Sequence, residues 1–148
     1  MTDIPLRQRW LQALAMAPWP MLDELSRFLL SAHRFDWLRQ PEVGLVMAQG
    51  RIDRQGDRFN LAEVPVTRCV VRSMFATTGV AYVLGRTIEK AGTVAKLDAM
   101  LQVGAYRDVL MADVVEPVEQ ALARTRRDEA GATAQSRVEF YTLTTEST

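Results

Sequence analysis

The spacing of the apolar residues changes twice along this chain, from helical to strand-like and back to helical. These changes limit the folds that the chain can adopt. Between Phe35 and Arg86 the sequence carries short segments rich in Val, Phe, Tyr and Trp: FDWLRQ, GLVMAQGRI, RFNLAE, VPVTRCVVRSM and GVAYVLGR. The turn signals QPEVG, DRQGD and TTG separate them, which is typical of an antiparallel meander. Helical spacing precedes and follows residues 35–86, so the sequence predicts an α+β fold with helices packed on one face of the sheet.

The first 34 residues are predicted to form a helical hairpin. Leu6, Trp10 and Leu14 recur at helical spacing. The motif PWP then breaks the helix, because proline removes a backbone donor and clashes with the preceding turn. The segment MLDELSRFLLSA resumes the helical pattern before the meander begins.

Residues 87–131 are predicted to be helical. Thr87 fits an N-cap position, and Gly104 a helix C-terminus. Pro117 suits the first turn of a further helix, and Gly131 its end.

The sequence SRVEFYTL, at residues 136–143, has the β-branched and aromatic content of a closing strand, and residues 144–148 form a polar tail. A length of 148 residues fits one domain spanning 1–148.

Composition and charge exclude several classes of function. Lys plus Arg and Asp plus Glu are 18 each, so the formal net charge is zero, which argues against general nucleic-acid binding. A single cysteine, Cys69, excludes an internal disulfide framework and a multi-cysteine metal site. Without a signal-peptide pattern or an apolar run of membrane-spanning length, we expect a cytoplasmic protein.

No autonomous catalytic motif is present. The sequence lacks GxxxxGK, GxGxxG and GxSxG, and its one histidine, His33, fits an exposed helix end better than a catalytic position. We therefore expect no metal and no cofactor in this chain.

Alternation along FNLAEVPVTRCVVR separates two faces of a strand. One face is small and mostly apolar, and we expect it to pack under the helices with Cys69 as a core residue: Thr67, Cys69, Val71 and Ser73. The other face carries Arg68 and Arg72 among the apolar residues Val66, Val70 and Met74. These arginines lie about 13 Å apart along the strand. A solvated face, a partner-docking face and a ligand site all stay open.

Four further polar residues are candidates for contact with a partner or a phosphate group, or for a structural pair. Arg86 directly precedes the predicted helix at Thr87, where helix N-termini favour anions. Asn60 and Glu63 are polar residues within patterned segments. Asp98 lies near the apolar stripe of its helix, so we expect it to pair with an arginine of the sheet.

The ordered set RQPEVGLVMAQGRI, FNLAEVPVTRCVVR, GVAYVLGR, LDAMLQ and SRVEFYTL resembles the PhnG family, a subunit of the bacterial carbon–phosphorus lyase system. The likeness covers most of the chain and is best over residues 41–102 and 136–143. Asn60, Glu63, Arg68, Arg72 and Arg86 match the family pattern, as do Thr67 and Gly85. DRQGD, Ala62, Thr87 and Val80 depart from it, which puts a ligand role for the turn at residues 53–57 in doubt.

The resemblance implies a cytoplasmic multi-subunit complex that uses organic phosphonates under phosphate starvation, with PhnI, PhnH, PhnJ and PhnL as partner subunits. In its first committed step an alkylphosphonate displaces adenine from ribose C1 of ATP, the co-substrate of the complex. The chain would then be a non-autonomous subunit of the α-D-ribose 1-methylphosphonate 5-triphosphate synthase, with no catalytic residue assigned to it. The alternative is a free-standing small-ligand-binding or scaffold α+β dimer without chemistry of its own. Near-zero net charge also permits self-association of the isolated chain.

Overall fold

The computed structural model describes the backbone of residues 3–51 and 56–146, and the side chains of residues 3–51 and 56–132. Two helices lead into a sheet, and further helices follow it. In chain order the elements are α1 Ile4–Met16, α2 Trp19–Ser31, β1 Phe35–Arg51, β2 Arg58–Ser73, β3 Thr78–Leu84, α3 Ile88–Leu101, α4 Gly104–Leu110, a π-helical turn Met111–Val115, and α5 Glu116–Glu146. The predicted α+β class and N-terminal helical hairpin are confirmed.

Within the described residues the sheet has three strands in the order β1-β2-β3, all antiparallel, and not five short ones. The signal QPEVG was wrongly interpreted as a turn. Strand β1 passes through it with register shifts between Trp37 and Arg39 and between Arg39 and Glu42. Pro41 lies inside the second irregularity, where a missing backbone N–H breaks no regular ladder bond. The turn signal DRQGD falls mainly on residues outside those that the structure describes.

Pro65 lies inside β2 and does not begin a strand. Its carbonyl accepts a hydrogen bond from the Gly85 N–H at 2.8 Å, just beyond the end of β3. In a strand, the N–H and C=O of one residue point to the same side. The N–H that Pro65 lacks would therefore point to where β3 no longer pairs with β2, so its absence costs no sheet hydrogen bond. The sheet narrows here from three strands to two. We call the two-stranded part, in which residues 45–51 pair with residues 58–65, the ribbon.

The helices cover one face of the sheet. Thr67, Cys69, Val71 and Ser73 are all buried, as the alternation predicted. Helix α3 packs over β2 and β3 so closely that a Cβ on Gly79 would lie 1.9 Å from the Ala95 carbonyl oxygen. Only glycine fits this contact, which ties β3 to α3 directly.

Asp98 joins three elements at the centre of this layer. Its side chain is fully buried and accepts hydrogen bonds from Arg7 Nε and Nη2 at 3.1 and 2.8 Å, Trp10 Nε1 at 2.9 Å and the Val80 N–H at 2.9 Å. The pair with Arg7 raises the pKa of that guanidinium. The expected arginine partner was assigned to the wrong element, because Arg7 belongs to α1 and not to the sheet.

The helix boundaries after α3 differ from those predicted. Helix α3 ends at Leu101, and Gly104 begins the next helix instead of ending the previous one. Pro117 starts no separate helix, because α4 runs through the π-helical turn into α5. In that turn the Glu116 N–H bonds the Met111 carbonyl, five residues back. The altered register suits Pro117, which has no N–H for the usual bond four residues back.

The predicted closing strand at Ser136–Leu143 is wrong, because α5 continues to Glu146. Its β-branched and aromatic residues follow a long segment with no further proline, and a single glycine at position 131 lowers helix stability by only about 1 kcal/mol. The strand-like composition of these residues therefore did not end the helix that precedes them.

We expect Asp98→Ala to lower the free energy of unfolding by about 3–5 kcal/mol, because it leaves Trp10 Nε1 and the Val80 N–H unpaired and removes the partner of Arg7. Denaturant unfolding followed by circular dichroism measures the change. Asp23→Ala is the matched control: Asp23 pairs with Arg27 at the surface, and such pairs contribute about 0–1 kcal/mol. Equal losses in the two variants would contradict a central role for Asp98.

Candidate functional site

The sheet face turned away from the helices carries Arg68. This open face consists of residues whose side chains alternate away from the core, Arg68, Val70 and Arg72 of β2 and Val80, Tyr82 and Leu84 of β3. Arg68 Nε lies 3.0 Å from Glu42 Oε1, and Arg39 Nη2 lies 2.7 Å from the same oxygen. Glu42 therefore pairs with both Arg39 and Arg68, and this pairing leaves Arg68 poorly placed to bind a ligand anion.

Arg72 lies farther along the same face and is exposed. Its neighbours in the ladder are Asp36 of β1 and Thr78 of β3, and no ion pair engages it among the described residues. The apolar residues around the two arginines differ in exposure: Val66 is buried, whereas Tyr82 and Leu84 are 57% and 72% exposed. The open face thus presents exposed apolar area beside an unpaired arginine.

Asn60 and Glu63 lie on the ribbon, away from both arginines along β2. Asn60 Oδ1 accepts a hydrogen bond from Gln49 Nε2 at 3.3 Å, and Glu63 is exposed opposite Met47. The structure therefore does not bring the predicted candidates together into one site.

Arg86 occupies a different region, at the start of α3. Thr67 fixes the chain there, because its hydroxyl donates to the Gly85 carbonyl at 2.7 Å and accepts from the Thr87 N–H at 3.0 Å. Gly85 has φ +98°, a conformation that other residues rarely adopt. Thr87 is the N-cap as predicted, although its side chain makes no capping bond. Its hydroxyl oxygen is buried and has no hydrogen-bond partner.

Two adjoining concavities follow the side of α3 from this point. The first, of about 410 Å³, is lined by Arg86, Thr87 and Lys90, and the second, of about 450 Å³, by Trp37, Gly92 and Lys96. Both include Trp19, Ile88 and Glu89, so they form one continuous depression between α2 and α3 that reaches the edge of β1. We call it the α2–α3 groove.

Cations outnumber acids in the α2–α3 groove. Arg86 and Lys90 have no ion-pair partner among the described residues, and Lys96 lies 5.5 Å from the ring centroid of Trp37. Burial lowers the pKa of Lys90. Of the two acids, Asp23 is engaged by Arg27, which leaves Glu89. The sequence alone did not identify this groove, because its lining comes from three elements and carries no local motif.

Cys69 and His33 have structural roles. Burial raises the pKa of the Cys69 thiol to about 11, and its Sγ donates to the Ala91 carbonyl at 3.3 Å. The His33 ring is half-buried, so the predicted exposure was wrong, although its place after the end of α2 was right. One ring nitrogen lies 2.8 Å from the Leu29 carbonyl oxygen and the other 3.1 Å from the Tyr106 hydroxyl.

The described residues contain no group of three or more His, Cys, Asp or Glu side chains placed to hold a metal ion. No helix in the same part of the chain is long and apolar enough to span a membrane.

The fold and the site thus define an α+β domain with an open sheet face, an exposed ribbon and a cationic groove. The model of the family "Phosphonate metabolism protein PhnG" matches residues 6–145. The alpha-D-ribose 1-methylphosphonate 5-triphosphate synthase subunit PhnG of Rhizobium meliloti (strain 1021) is 39% identical over 106 residues, 72% of this chain and 67% of that protein. The chain belongs to the PhnG family, which confirms the resemblance.

We expect the free energy of unfolding to fall, relative to Cys69→Ala, as the pH rises from about 9 to about 11. The thiol of the unfolded chain ionises near its ordinary pKa of 9.0, whereas the folded thiol stays protonated until about 11. The folded state holds the extra proton in this window, so rising pH favours unfolding. Denaturant titrations of both proteins at each pH measure the difference, and parallel curves would contradict the buried thiol.

Proposed function

We propose that this chain acts as the PhnG subunit of an α-D-ribose 1-methylphosphonate 5-triphosphate synthase in phosphonate catabolism. The observation that carries the proposal is the relative's identity over most of this chain, together with its role as a synthase subunit. The described residues agree with a non-autonomous subunit, because Cys69 and His33 are held in structural contacts and the candidate polar residues lie apart.

The proposed reaction joins an alkylphosphonate to the ribose of ATP. A phosphonate oxygen forms a bond to ribose C1 while the bond from C1 to adenine breaks, and adenine leaves with the bonding electron pair and takes up a proton. The 5-triphosphate stays on the ribose. ATP is therefore a co-substrate of the complex, and the chain needs no cofactor of its own in this proposal.

We assign partner docking to the open face and the ribbon. Exposed large apolar side chains occur on both. On the open-face side they are Phe59 and Leu61 of the ribbon with Tyr82 and Leu84 of β3, whereas Leu45 and Met47 lie on the opposite side of the ribbon. Exposed apolar side chains with arginines nearby are typical of protein interfaces. The unpaired guanidinium of Arg72 would meet a carboxylate of the partner.

The ribbon gives a second reason for a partner on this surface. Its two strands extend about 20 Å past the end of β3, since seven residues follow at about 3.3 Å each. None of its described side chains belongs to the core. An isolated two-stranded ribbon is marginally stable in water, so contact with another subunit would stabilise it.

The occupant that we propose for this surface is a PhnI-type subunit, with PhnH-, PhnJ- and PhnL-type subunits completing the system. The complex would be cytoplasmic and used during phosphate starvation. In this proposal, homodimerisation of the isolated chain results from the exposed apolar surface and is not the function of the protein.

The subunit role predicts that adenine release depends on this chain. Co-expression with the PhnI-type subunit from the same source should give a stable complex by size exclusion. With PhnH- and PhnL-type subunits, ATP and methylphosphonate present, the complex should release adenine, and omission of this chain should abolish release. Adenine release that continues without this chain would contradict the proposal.

The docking surface predicts that the double variant Leu61→Asp, Leu84→Asp binds the PhnI-type subunit at least tenfold more weakly. Each of the two substitutions would bury an unpaired carboxylate in the interface. Surface plasmon resonance measures the affinity. Phe28→Asp is the matched control, since Phe28 is 89% exposed on α2. Circular dichroism checks that all variants fold, and equal affinities for the variant and the control would place the interface elsewhere.

A further inference from the structure

Lys90 is a charged residue without a countercharge in a half-buried position. It lines the α2–α3 groove in the first turn of α3, near Arg86, and no carboxylate pairs with either among the described residues. Removing an ammonium group from water is unfavourable unless an anion compensates, as the burial-induced fall in its pKa indicates. A half-buried lysine without an acid partner leaves positive charge available to an anion at this end of the groove.

Two features of the backbone and side chains favour an oxyanion at this end of the groove. Helix α3 has 14 residues, and the free N–H groups of its first turn attract negative charge. The Thr87 hydroxyl oxygen is shielded from solvent without a hydrogen-bond partner, and Thr87 lines the same concavity. Such a polar group without a partner is unusual, and it lies beside the free N–H groups at the start of α3.

The other end of the groove is aromatic. Trp37 is 38% exposed, and Gly92 allows its ring to lie against α3, since a Cβ there would be 3.1 Å from the Trp37 ring. Lys96 lies near the same ring and adds positive charge. Nine residues of helix separate Thr87 from Lys96, or about 13 Å, a length comparable with that of an extended nucleoside triphosphate. Each concavity also falls in the range of about 300–1,000 Å³ typical of ligand sites.

We propose that the α2–α3 groove binds a purine nucleoside triphosphate, with the phosphates at Arg86, Lys90 and the N-terminus of α3 and the base toward Trp37. This inference rests on the proposed function, in which the complex uses ATP, and it names the part of this chain that contacts that substrate. The open face and the ribbon remain free for the partner subunit, because the groove lies on the helical side of the sheet. Glu89 lines both concavities, so its carboxylate faces the same space as Arg86 and Lys90.

Calorimetric titration of the full chain with ATP, inorganic tripolyphosphate and adenosine tests the groove directly. Lys90→Gln with Arg86→Gln should weaken ATP and tripolyphosphate binding by about 10- to 100-fold, the usual effect of losing hydrogen bonds to charged groups. Trp37→Leu should weaken ATP binding but leave tripolyphosphate binding unchanged. Arg124→Gln, at an exposed position of α5 outside the groove, is the control for charge alone and should bind ATP like the unmodified chain. Circular dichroism establishes that each variant is folded.

The assembled complex separates this inference from the proposed function. In the adenine-release assay, Lys90→Gln should raise the KM for ATP while the complex still assembles. Assembly with an unchanged KM would overturn the groove assignment and leave the subunit role intact. ATP binding that depends on Lys90, in a chain that joins no complex, would support the groove and contradict the subunit role. If Lys90→Gln prevents assembly and the unmodified chain does not bind ATP, the groove is a docking site for an acidic partner segment and the nucleotide assignment is wrong.

Discussion

The carboxylate of Asp98 is the interaction on which the rest of the architecture depends. It lies on α3 and holds the side chains of Arg7 and Trp10 from α1 and the backbone of β3 at the same time. A buried carboxylate is tolerated only when its oxygens are fully engaged, so the three elements must keep one relative placement. The contact at Gly79 reinforces this placement, since β3 and α3 meet there without room for a side chain.

This fixed helical layer determines which surfaces the chain offers. The helices cover the face of β2 that carries Cys69, and the opposite face stays open because no described element packs on it. Pro65 then marks the point at which β3 no longer accompanies β2, and the ribbon begins. The exposed apolar side chains that follow are a consequence of topology: strands that leave the helical layer have no core of their own to enter.

The sequence predicted those features that a single segment determines. Alternation along β2 identified the buried face of Thr67, Cys69 and Val71 correctly, because a strand on one layer of helices must alternate. It could not predict that β1 passes through Pro41, since a bulge depends on the partner strand. The helix at residues 136–143 was missed for a similar reason: composition favours a strand, but a strand also needs a free edge that the chain can reach.

The candidate sites show the same limit. Arg68 was recognised as a sheet-face arginine, but its pairing with Glu42 depends on the register between β1 and β2, which no local pattern reveals. Asp98 was recognised as a half-buried acid, whereas its partner lies 91 positions away in α1. The α2–α3 groove was not predicted at all, because Trp19, Trp37 and Lys90 become neighbours only when α2, β1 and α3 pack together.

Asp98 and Lys90 differ in how their charges are compensated. Asp98 is fully buried and has its full set of internal partners, whereas Lys90 is half-buried and has no ion-pair partner among the described residues. A charge that served only the fold would be paired inside it, as Asp98 is. Burial lowers the pKa of Lys90, so its position makes physical sense when its countercharge arrives with a ligand, as proposed for the groove. The same reasoning applies to the ribbon, whose apolar surface is unfavourable in water and favourable against a partner.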